Sequence, residues 1–314
     1  MKSSSVRLSK ADFRTRLAVS LRVHNYRYLL ILPGFLFLLI FNYYPLYFLQ
    51  AAFKDYNIIR GLDGSAWVGF ENFIRLFQDS YFLKVIRNTV ILSAVMYRIL
   101  AFPVPIILAL LLNELLLRPF KRTIQTLIYI PHFISWVIIA GIWITVLSPD
   151  GGLINVILGL FGIEEIYFLA KPSMFRWILL LQYIWQSSGW GTIIYLAAIS
   201  GIDPALYEAA IIDGANRFQR ILYVTLPSIA ITIIVIFILS MAKILNLFEQ
   251  VFVMLNPVVA PVGQTIDTYV YEIGIRQGRI DLATAVGLFK NIISLVLILL
   301  ANRFSKILTG EKVI

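Results

Sequence analysis

Six long runs of apolar residues, separated by shorter polar stretches, dominate the hydropathy pattern of this chain. Each run has about 20 residues, which is enough for a helix to cross a hydrocarbon layer about 30 Å thick. Lipid offers no partners to backbone N–H and C=O groups, so helices are the open-chain structure that can cross it. We therefore predict an all-α polytopic membrane protein with six transmembrane helices, at about 28–50, 88–112, 126–147, 175–199, 226–245 and 282–302.

Composition points to the same class of protein. Of 314 residues, 60% are hydrophobic and 14% are charged, whereas soluble domains have about 45–50% apolar and about 25% charged residues. The chain contains no cysteine, which excludes disulfide and thiol chemistry. The pattern divides the chain into a basic N-terminal segment (1–27), a six-helix transmembrane domain (28–302) and a tail (303–314). Candidate helix kinks inside the domain are Pro33, Pro45, Pro103, Pro105 and Pro131.

The distribution of Lys and Arg predicts the orientation of the chain. Fifteen lie on the side of the two termini and nine on the other side. Cytoplasmic segments carry the excess of basic residues, so both termini are predicted to be cytoplasmic. This bias accounts for most of the net charge of +10, and a nucleic-acid partner is not needed to explain it. Within the basic segment, residues 12–27 fit either a short helix on the inner leaflet or a disordered tail.

The connection between the fourth and fifth apolar runs has the composition of a helix rather than of a simple turn. Asp203 and Pro204 are typical of a helix start, and Gly214 is typical of a helix end. A second short helix is predicted at 217–223. Exposed apolar residues on such a connection usually mark a contact site for another protein. The alternative is a helix that rests on the lipid surface.

The sequence of this connection resembles a known motif. Glu208-Ala209-Ala210, three residues, Gly214, nine residues and Val224-x-Leu226-Pro227 resemble the EAA motif of permease subunits in bacterial type I ABC importers, with Val224 where Ile is usual. The resemblance covers most of the chain. Segments 42–45, 52–57 and 67–73 are similar to the carbohydrate-uptake branch, and in particular to permeases for oligosaccharides related to the alginate importer.

The resemblance implies a MetI-like permease fold and a transport subunit, not an enzyme, in the bacterial plasma membrane. Residues 201–227 would form the coupling loop, which sits in a cleft of an ATPase subunit. The partners implied are a second, usually non-identical permease subunit, two ATPase subunits, an extracellular or periplasmic binding protein, an oligosaccharide and membrane lipid. The residues that the motif assigns to ATPase coupling are Glu208, Ala209, Ala210, Asp213, Gly214 and Pro227.

We predict that this chain binds no cofactor of its own. The sequence has no G-x-x-x-x-G-K-[ST] phosphate loop, so ATP and Mg²⁺ would bind to the partner ATPase subunits. His24 and His132 are isolated in sequence and have no companions at metal-ligand spacing, so no metal site is predicted.

A candidate substrate cavity lies along the fourth and fifth spans. Tyr183, Ser187 and Trp190 share one helical face, and aromatic rings beside hydroxyls suit sugars. The predicted cavity residues of these two spans are Tyr183, Gln186, Ser187, Trp190, Ser240 and Asn246. Ile244 and Leu247 are apolar where similar permeases are polar, so either this subunit or its partner could hold the sugar. The alternative is that these side chains join helices or form an aromatic belt.

Arg98 and Lys290 are charged residues near the middle of the second and sixth spans. A charge at that depth is costly, so both should face a cavity or a partner. They could attract an acidic sugar such as a uronate. Alternatively, they could pair with acidic residues of the partner subunit or bind carbonyl groups of broken helices.

Two other classes of protein predict patterns that the sequence lacks. A secondary transporter would show paired internal repeats and midplane acids, and an intramembrane enzyme would need convergent acids or a metal motif at the ends of the spans. An ABC permease for a non-sugar solute stays open as a further alternative. Among sugars, alginate-type, aldouronate, pectin-derived and neutral fructo-oligosaccharides all stay open.

Overall fold

The structure is a computed structural model that describes residues 25–241 and 244–309. The basic segment predicted at 1–27 therefore lies outside the described residues up to position 24, and so do the last five residues of the tail. Helices make up most of the described chain. Three helices are long and apolar enough to cross a membrane, and three bent pairs bring the number to six if each pair is one span.

The first span runs from Tyr26 to Phe53, and none of its apolar window is buried within the described chain. It begins as helix α1 and continues through a π-helical turn and a 3₁₀ segment. A β-hairpin and helix α2 follow, and the hairpin was not predicted from the sequence. The bounds are α1 Asn25–Leu38, π-turn Leu39–Tyr43, 3₁₀ Tyr44–Phe53, β1 Lys54–Asn57, β2 Gly61–Trp67 and α2 Glu71–Gln78.

The hairpin is tied to its neighbours by a buried asparagine. The strands are antiparallel, with Lys54 opposite Trp67, and Gly61 supplies the positive φ of 66° at the turn. The side-chain amide of Asn72 donates to the carbonyl oxygens of Ala52 (3.0 Å) and Lys54 (2.9 Å), which joins α2 to the end of the first span.

The second span is one helical segment of 35 residues from Ser80 to Glu114, and it starts eight residues before the predicted boundary. Asp79 caps its first turn by accepting from the backbone N–H of Tyr81 at 2.8 Å. Ten residues in its middle are π-helical, a conformation that is frequent at functional sites. The bounds are α3 Ser80–Val90, π-helix Ile91–Leu100 and α4 Pro103–Glu114.

The third span is broken, so the prediction of one helix over 126–147 is wrong. Its two helices meet at 108°. Pro131 lies at the break and has no N–H to donate, while Ser135 caps the second helix by accepting from Ile138 N at 3.4 Å. The bounds here are α5 Arg118–Tyr129, 3₁₀ Ile130–Phe133, α6 Trp136–Val146, α7 Leu153–Leu160 and 3₁₀ Phe168–Ala170.

The fourth span is the long helix α8, and the connection after it folds as two short helices. The fifth span is bent by 59° after Ser228, so the single helix predicted over 226–245 is also wrong. Pro227 removes a backbone donor just before this bend. The bounds are α8 Pro172–Ser200, α9 Pro204–Ile212, α10 Arg217–Arg220, π-turn Ile221–Thr225, α11 Leu226–Ser228 and α12 Ala230–Met241.

Three short helices separate the fifth span from the sixth. They fold back among the ends of the second and fourth spans, where their side chains are largely buried. The sixth span, within α16, begins close to its predicted position. The bounds are α13 Glu249–Met254, α14 Ala260–Gly263, α15 Ile266–Tyr271, π-turn Glu272–Arg276 and α16 Ile280–Thr309.

Close backbone approach positions α8 against α5. A Cβ atom on Gly189 would lie 1.9 Å from the carbonyl oxygen of Ile128. Glycine is therefore required at this crossing, as is common where membrane helices pack. The contact fixes the face of α8 that carries the predicted cavity residues.

Candidate functional site

The predicted coupling loop folds as a capped helix. Asp203 accepts from the backbone N–H of Ala205 at 2.9 Å, and Pro204 is the first residue of α9. At the other end, Gly214 N–H donates to Ile211 and Ala215 N–H donates to Ala210, the two bonds of a Schellman motif. Gly214 has a φ of 78°, which glycine adopts without steric cost.

The rest of the loop is anchored to the fifth span. Asn216 and Gln219 form a reciprocal capping box at the start of α10. The hydroxyl of Tyr207 lies 3.0 Å from that of Thr225, which is 2% exposed. Neither Tyr207 nor Thr225 was predicted from the sequence to be a site residue. Their separation of 18 residues becomes a contact only when the loop folds back on the span.

The surface of this loop is apolar and exposed. Among the predicted coupling residues, Glu208, Ala209, Asp213, Gly214 and Pro227 are exposed, and Ala210 is half-buried. Large apolar side chains surround them, and Ile212 is 85% exposed. The exposed apolar set is Leu206, Ile211, Ile212, Phe218, Leu222 and Tyr223.

Five of the eight predicted cavity residues meet in one cavity of about 640 Å³, which we call the loop-side chamber. It extends along α8 toward the coupling loop as far as Ile194 and Tyr195. Aromatic rings and hydroxyls share its wall, as is expected of a ligand cavity with a few polar groups. The five predicted residues are Arg98, Tyr183, Ser187, Trp190 and Ser240.

Arg98 is held by partners of its own chain at the wall of this chamber. Its Nη1 donates to the hydroxyl of Tyr183 and its Nε donates to the carbonyl oxygen of Ser240, each at 3.2 Å. The carbonyl group belongs to the last turn of α12, where a broken helix leaves acceptors without intrahelical donors.

Asn246 and Lys290 lie elsewhere, in a second cavity of about 620 Å³ that we call the far chamber. It lies beside α13 and α15 and includes Tyr183 of α8, and it does not extend along α8 toward the coupling loop. Its wall combines aromatic and polar side chains, including Trp136, Tyr271 and Glu249. The single cavity expected from the sequence is therefore two chambers.

Lys290 forms an ion pair with Asp267 in the wall of the far chamber. Their side chains are 15% and 17% exposed. The other carboxylate oxygen of Asp267 accepts from the backbone N–H of Leu247 at 2.9 Å. An acidic residue of the partner subunit was one of the alternatives that the sequence left open for Lys290, whereas in the structure the acidic partner belongs to the same chain.

Gln186 lines neither chamber. It is buried, and its amide donates to the carbonyl oxygen of His132 at 3.4 Å across the break between α5 and α6. His132 itself lines the loop-side chamber, where its ring stacks on Trp190 with centroids 5.0 Å apart. The bend at Pro131 brings His132 there, so an isolated histidine in the sequence becomes part of the cavity wall. Among the described residues, no group of three metal-ligating side chains could hold a metal ion.

Comparison with protein families gives one extended match. A family model described as "Binding-protein-dependent transport system inner membrane component" matches residues 101–310. This range includes the coupling loop and the lining residues of both chambers other than Tyr97 and Arg98.

Two relatives from Bacillus subtilis match nearly the whole chain. The polygalacturonan/rhamnogalacturonan transport system permease protein YteP is 47% identical over 298 residues, covering 95% of this chain and 92% of the relative. Protein LplB is 46% identical over 289 residues, covering 91% of this chain and 90% of the relative.

Two solved structures share the fold. One is a bacterial ABC transporter involved in the import of the acidic polysaccharide alginate; a chain in it is 40% identical, with a TM-score of 0.86 over 94% of this chain and 99% of that chain. The other is a bacterial alginate ABC transporter in complex with an alginate pentasaccharide-bound periplasmic protein, at 39% identity and a TM-score of 0.86 over 95% of this chain and 99% of that chain.

Proposed function

Because the chain belongs to the family of binding-protein-dependent transport system inner membrane components, we propose that it is the permease subunit of an ATP-driven ABC importer for an oligosaccharide. The protein is a transport component and not an enzyme. The observation that carries the proposal is α9, a capped helix with exposed apolar side chains between the fourth and fifth spans.

Helix α9 would be the coupling helix of this subunit. A helix that is capped at both ends and anchored through Tyr207 can transmit force, because its shape does not depend on the partner. Its exposed apolar side chains would be buried in a cleft of an ATPase subunit. ATP and Mg²⁺ would bind to two such subunits. A second permease subunit would complete the pore, and a binding protein would deliver the sugar from outside.

Oligosaccharides are the substrate class that the chambers and the relatives support together. The names of YteP and of the alginate importers refer to acidic polysaccharides. The loop-side chamber offers the aromatic faces and hydrogen-bonding groups that a sugar ring requires. The side chain of Arg98 adds a positive charge to its wall. Acidic oligosaccharides are therefore the first substrates to test.

The proposal is tested in proteoliposomes that contain the whole complex. We expect ATP-dependent uptake of an acidic oligosaccharide in the presence of the binding protein, and neither uptake nor ATP hydrolysis from this chain alone. Glu208→Lys combined with Gly214→Val should lower uptake at least tenfold, while ATP hydrolysis loses its stimulation by the loaded binding protein.

Gly162→Val is the matched control for this experiment. Gly162 has a φ of 73° and open space around it, so valine there carries the same backbone strain as at Gly214 but lies outside the coupling loop. Normal coupled uptake by the Glu208/Gly214 variant, or an equal loss in the control, would refute the coupling role of α9.

A further inference from the structure

Helix α7, in the connection between the third and fourth spans, exposes one continuous apolar face. Its exposed large side chains recur at spacings of three and four residues, which is the pattern of a single helical face. A patch of this kind usually marks a contact site rather than a surface in water. We call the set the α7 face; its members are Leu153, Val156, Ile157, Leu160 and, just after the helix, Phe161.

The segment that carries this face has no charge to hold it in water. No Asp, Glu, Lys or Arg occurs in residues 151–163, and the only amide side chain there, Asn155, is 5% exposed. Acidic residues follow at both ends, where Asp150, Glu164 and Glu165 are exposed. The middle of this connection therefore has an apolar exterior, whereas its two ends suit water.

Asn155 fixes the orientation of α7. Its side-chain amide donates to the carbonyl oxygens of Ser148 (2.8 Å) and Ile166 (3.1 Å), and its oxygen accepts from the backbone N–H of Ile166 at 2.9 Å. By helical spacing, Asn155 lies on the opposite side of α7 from the α7 face. A rotation that buried the face would break these bonds and leave a buried amide unpaired, which is costly.

An apolar groove beside α7 shows what surrounds the helix. The groove has a volume of about 530 Å³ and lies between α6, α7 and α8, and Ile154 lines it from α7. Trp177 and Leu181 line it from α8, where they are 56% and 53% exposed. Leu181 is two residues from Tyr183, about 160° around the helix, so the groove lies on the side of α8 away from the loop-side chamber. On that side, exposed apolar residues of a spanning helix face hydrocarbon.

Phospholipid is the occupant that these observations favour over a protein that docks and leaves. The interface of a dissociating partner is about as polar as the rest of a protein surface, whereas the α7 face and the groove are lined by apolar residues throughout. Tyr167, which is 60% exposed, and Trp177 lie on either side of the start of α8. Such aromatic residues are typical of the level at which membrane and water meet.

We propose that α7 is a membrane anchor: it lies in the leaflet opposite the coupling loop, and phospholipid acyl chains cover the α7 face and fill the groove. The anchor and the coupling loop are joined to opposite ends of α8, so they lie on opposite sides of the membrane. In the predicted orientation the anchor is in the outer leaflet, where it holds the Pro172 end of α8 at a fixed depth. This surface is separate from the coupling loop and from both chambers, so the anchor can fail while the import function holds.

Fluorescence quenching tests the anchor, because the chain has no cysteine of its own. Leu160→Cys reports on the α7 face and Leu181→Cys on the groove, and Asp150→Cys, in the same connection, is the matched control in water. The whole complex, with its other subunits free of reactive cysteines, is labelled with bimane and reconstituted in vesicles of phosphatidylcholine and phosphatidylglycerol. Doxyl-labelled phosphatidylcholine quenches labels that contact acyl chains, and iodide quenches labels in water.

We expect doxyl lipid to quench the labels at Leu160→Cys and Leu181→Cys, and iodide to quench both at least fivefold less than the label at Asp150→Cys. Val156→Glu combined with Ile157→Glu places two carboxylates in the α7 face, so it should raise iodide quenching at Leu160→Cys at least threefold. Val156→Leu combined with Ile157→Leu keeps the face apolar and should leave the quenching unchanged. If the glutamate variant does not assemble, the three single labels still decide the question.

Equal iodide quenching at Leu160→Cys and Asp150→Cys would overturn the anchor, because the α7 face would then lie in water. Protection of the label at Leu160→Cys or Leu181→Cys from both quenchers would also overturn it, because a protein subunit would then be the occupant. Iodide quenching that disappears only when the binding protein is added would assign the face to that protein instead. Unchanged quenching in the assembled glutamate variant would contradict the anchor as well.

Discussion

At the scale of single residues, the ion pair of Asp267 and Lys290 explains how a lysine is tolerated near the middle of a span. An unpaired charge there would cost several kcal/mol, on the order of 3. Asp267 neutralises it and also accepts a backbone N–H from Leu247, so its carboxylate has a partner on each oxygen.

Removing one charge of this pair should destabilise the protein more than removing both charges. Asp267→Asn keeps an oxygen for Leu247 N–H but leaves Lys290 without its counter-charge, and we expect a loss of about 3 kcal/mol. Asp267→Asn combined with Lys290→Met should recover most of that loss. Thermal unfolding of the purified complex measures both variants. Equal destabilisation by the single and double variants would show that the charge pair is not the cause.

At the scale of elements, the sequence predicts best those features that depend on residues close together in the chain. The cap at Asp203, the helix end at Gly214 and the start of the sixth span depend on a few neighbouring residues, and the structure has them as expected. The breaks in the third and fifth spans were not predicted, because the hydropathy of an apolar segment is the same whether its helix is straight or bent. A proline marks a candidate kink but does not give its angle: Pro33 lies inside α1 without ending it, whereas Pro131 lies at a turn of 108°.

The sequence predicted which cavity residues share one face of a helix, but it did not predict which of the two chambers each residue lines. Spacing placed Tyr183, Ser187 and Trp190 together, since all three belong to one helix. Tyr97, whose ring stacks on Tyr183, and Asp267 were missed because they lie 86 residues from Tyr183 and 23 residues before Lys290, on other elements. Such pairs depend on how each helix is rotated about its axis, which a single sequence does not determine.

The crossing of α8 and α5 gives a prediction at the same scale. Gly189→Ala would place a methyl group against the backbone of Ile128 and Tyr129, which cannot move aside as a flexible side chain could. We expect a lower thermal midpoint and a lower yield of assembled complex. Gly159→Ala is the control: it lies in α7 with open space around it, and alanine should be neutral or favourable by up to about 1 kcal/mol.

At the scale of the whole molecule, the described chain leaves most of its first span uncovered. Residues 26–53 bury none of their apolar window against the rest of the chain, so lipid or another subunit must cover them. The distribution of Lys and Arg predicts the orientation of the molecule in the membrane, with the hairpin outside and the coupling loop inside.

This orientation can be measured with two variants that each carry a single cysteine. Ile59, at the hairpin, is 91% exposed, and Leu116, between α4 and α5, is 81% exposed. We expect Ile59→Cys to react with an impermeant maleimide in intact cells that lack the binding protein, and Leu116→Cys to react only in inverted vesicles. The opposite result would reverse the predicted topology and place the coupling loop out of reach of any cytoplasmic ATPase.

Helix α8 connects the side of the membrane that is predicted to be outside with the coupling loop. It has 29 residues, so it is a rod about 43 Å long, and three residues separate it from α9. Tyr183 and Trp190 lie on the same rod. If the rod tilts by about 5° around its Pro172 end, its Ser200 end moves by about 4 Å. A pull on α9 would therefore act on Tyr183 and Trp190 through a lever without an internal hinge, and the coupling loop and the wall of the loop-side chamber would move together.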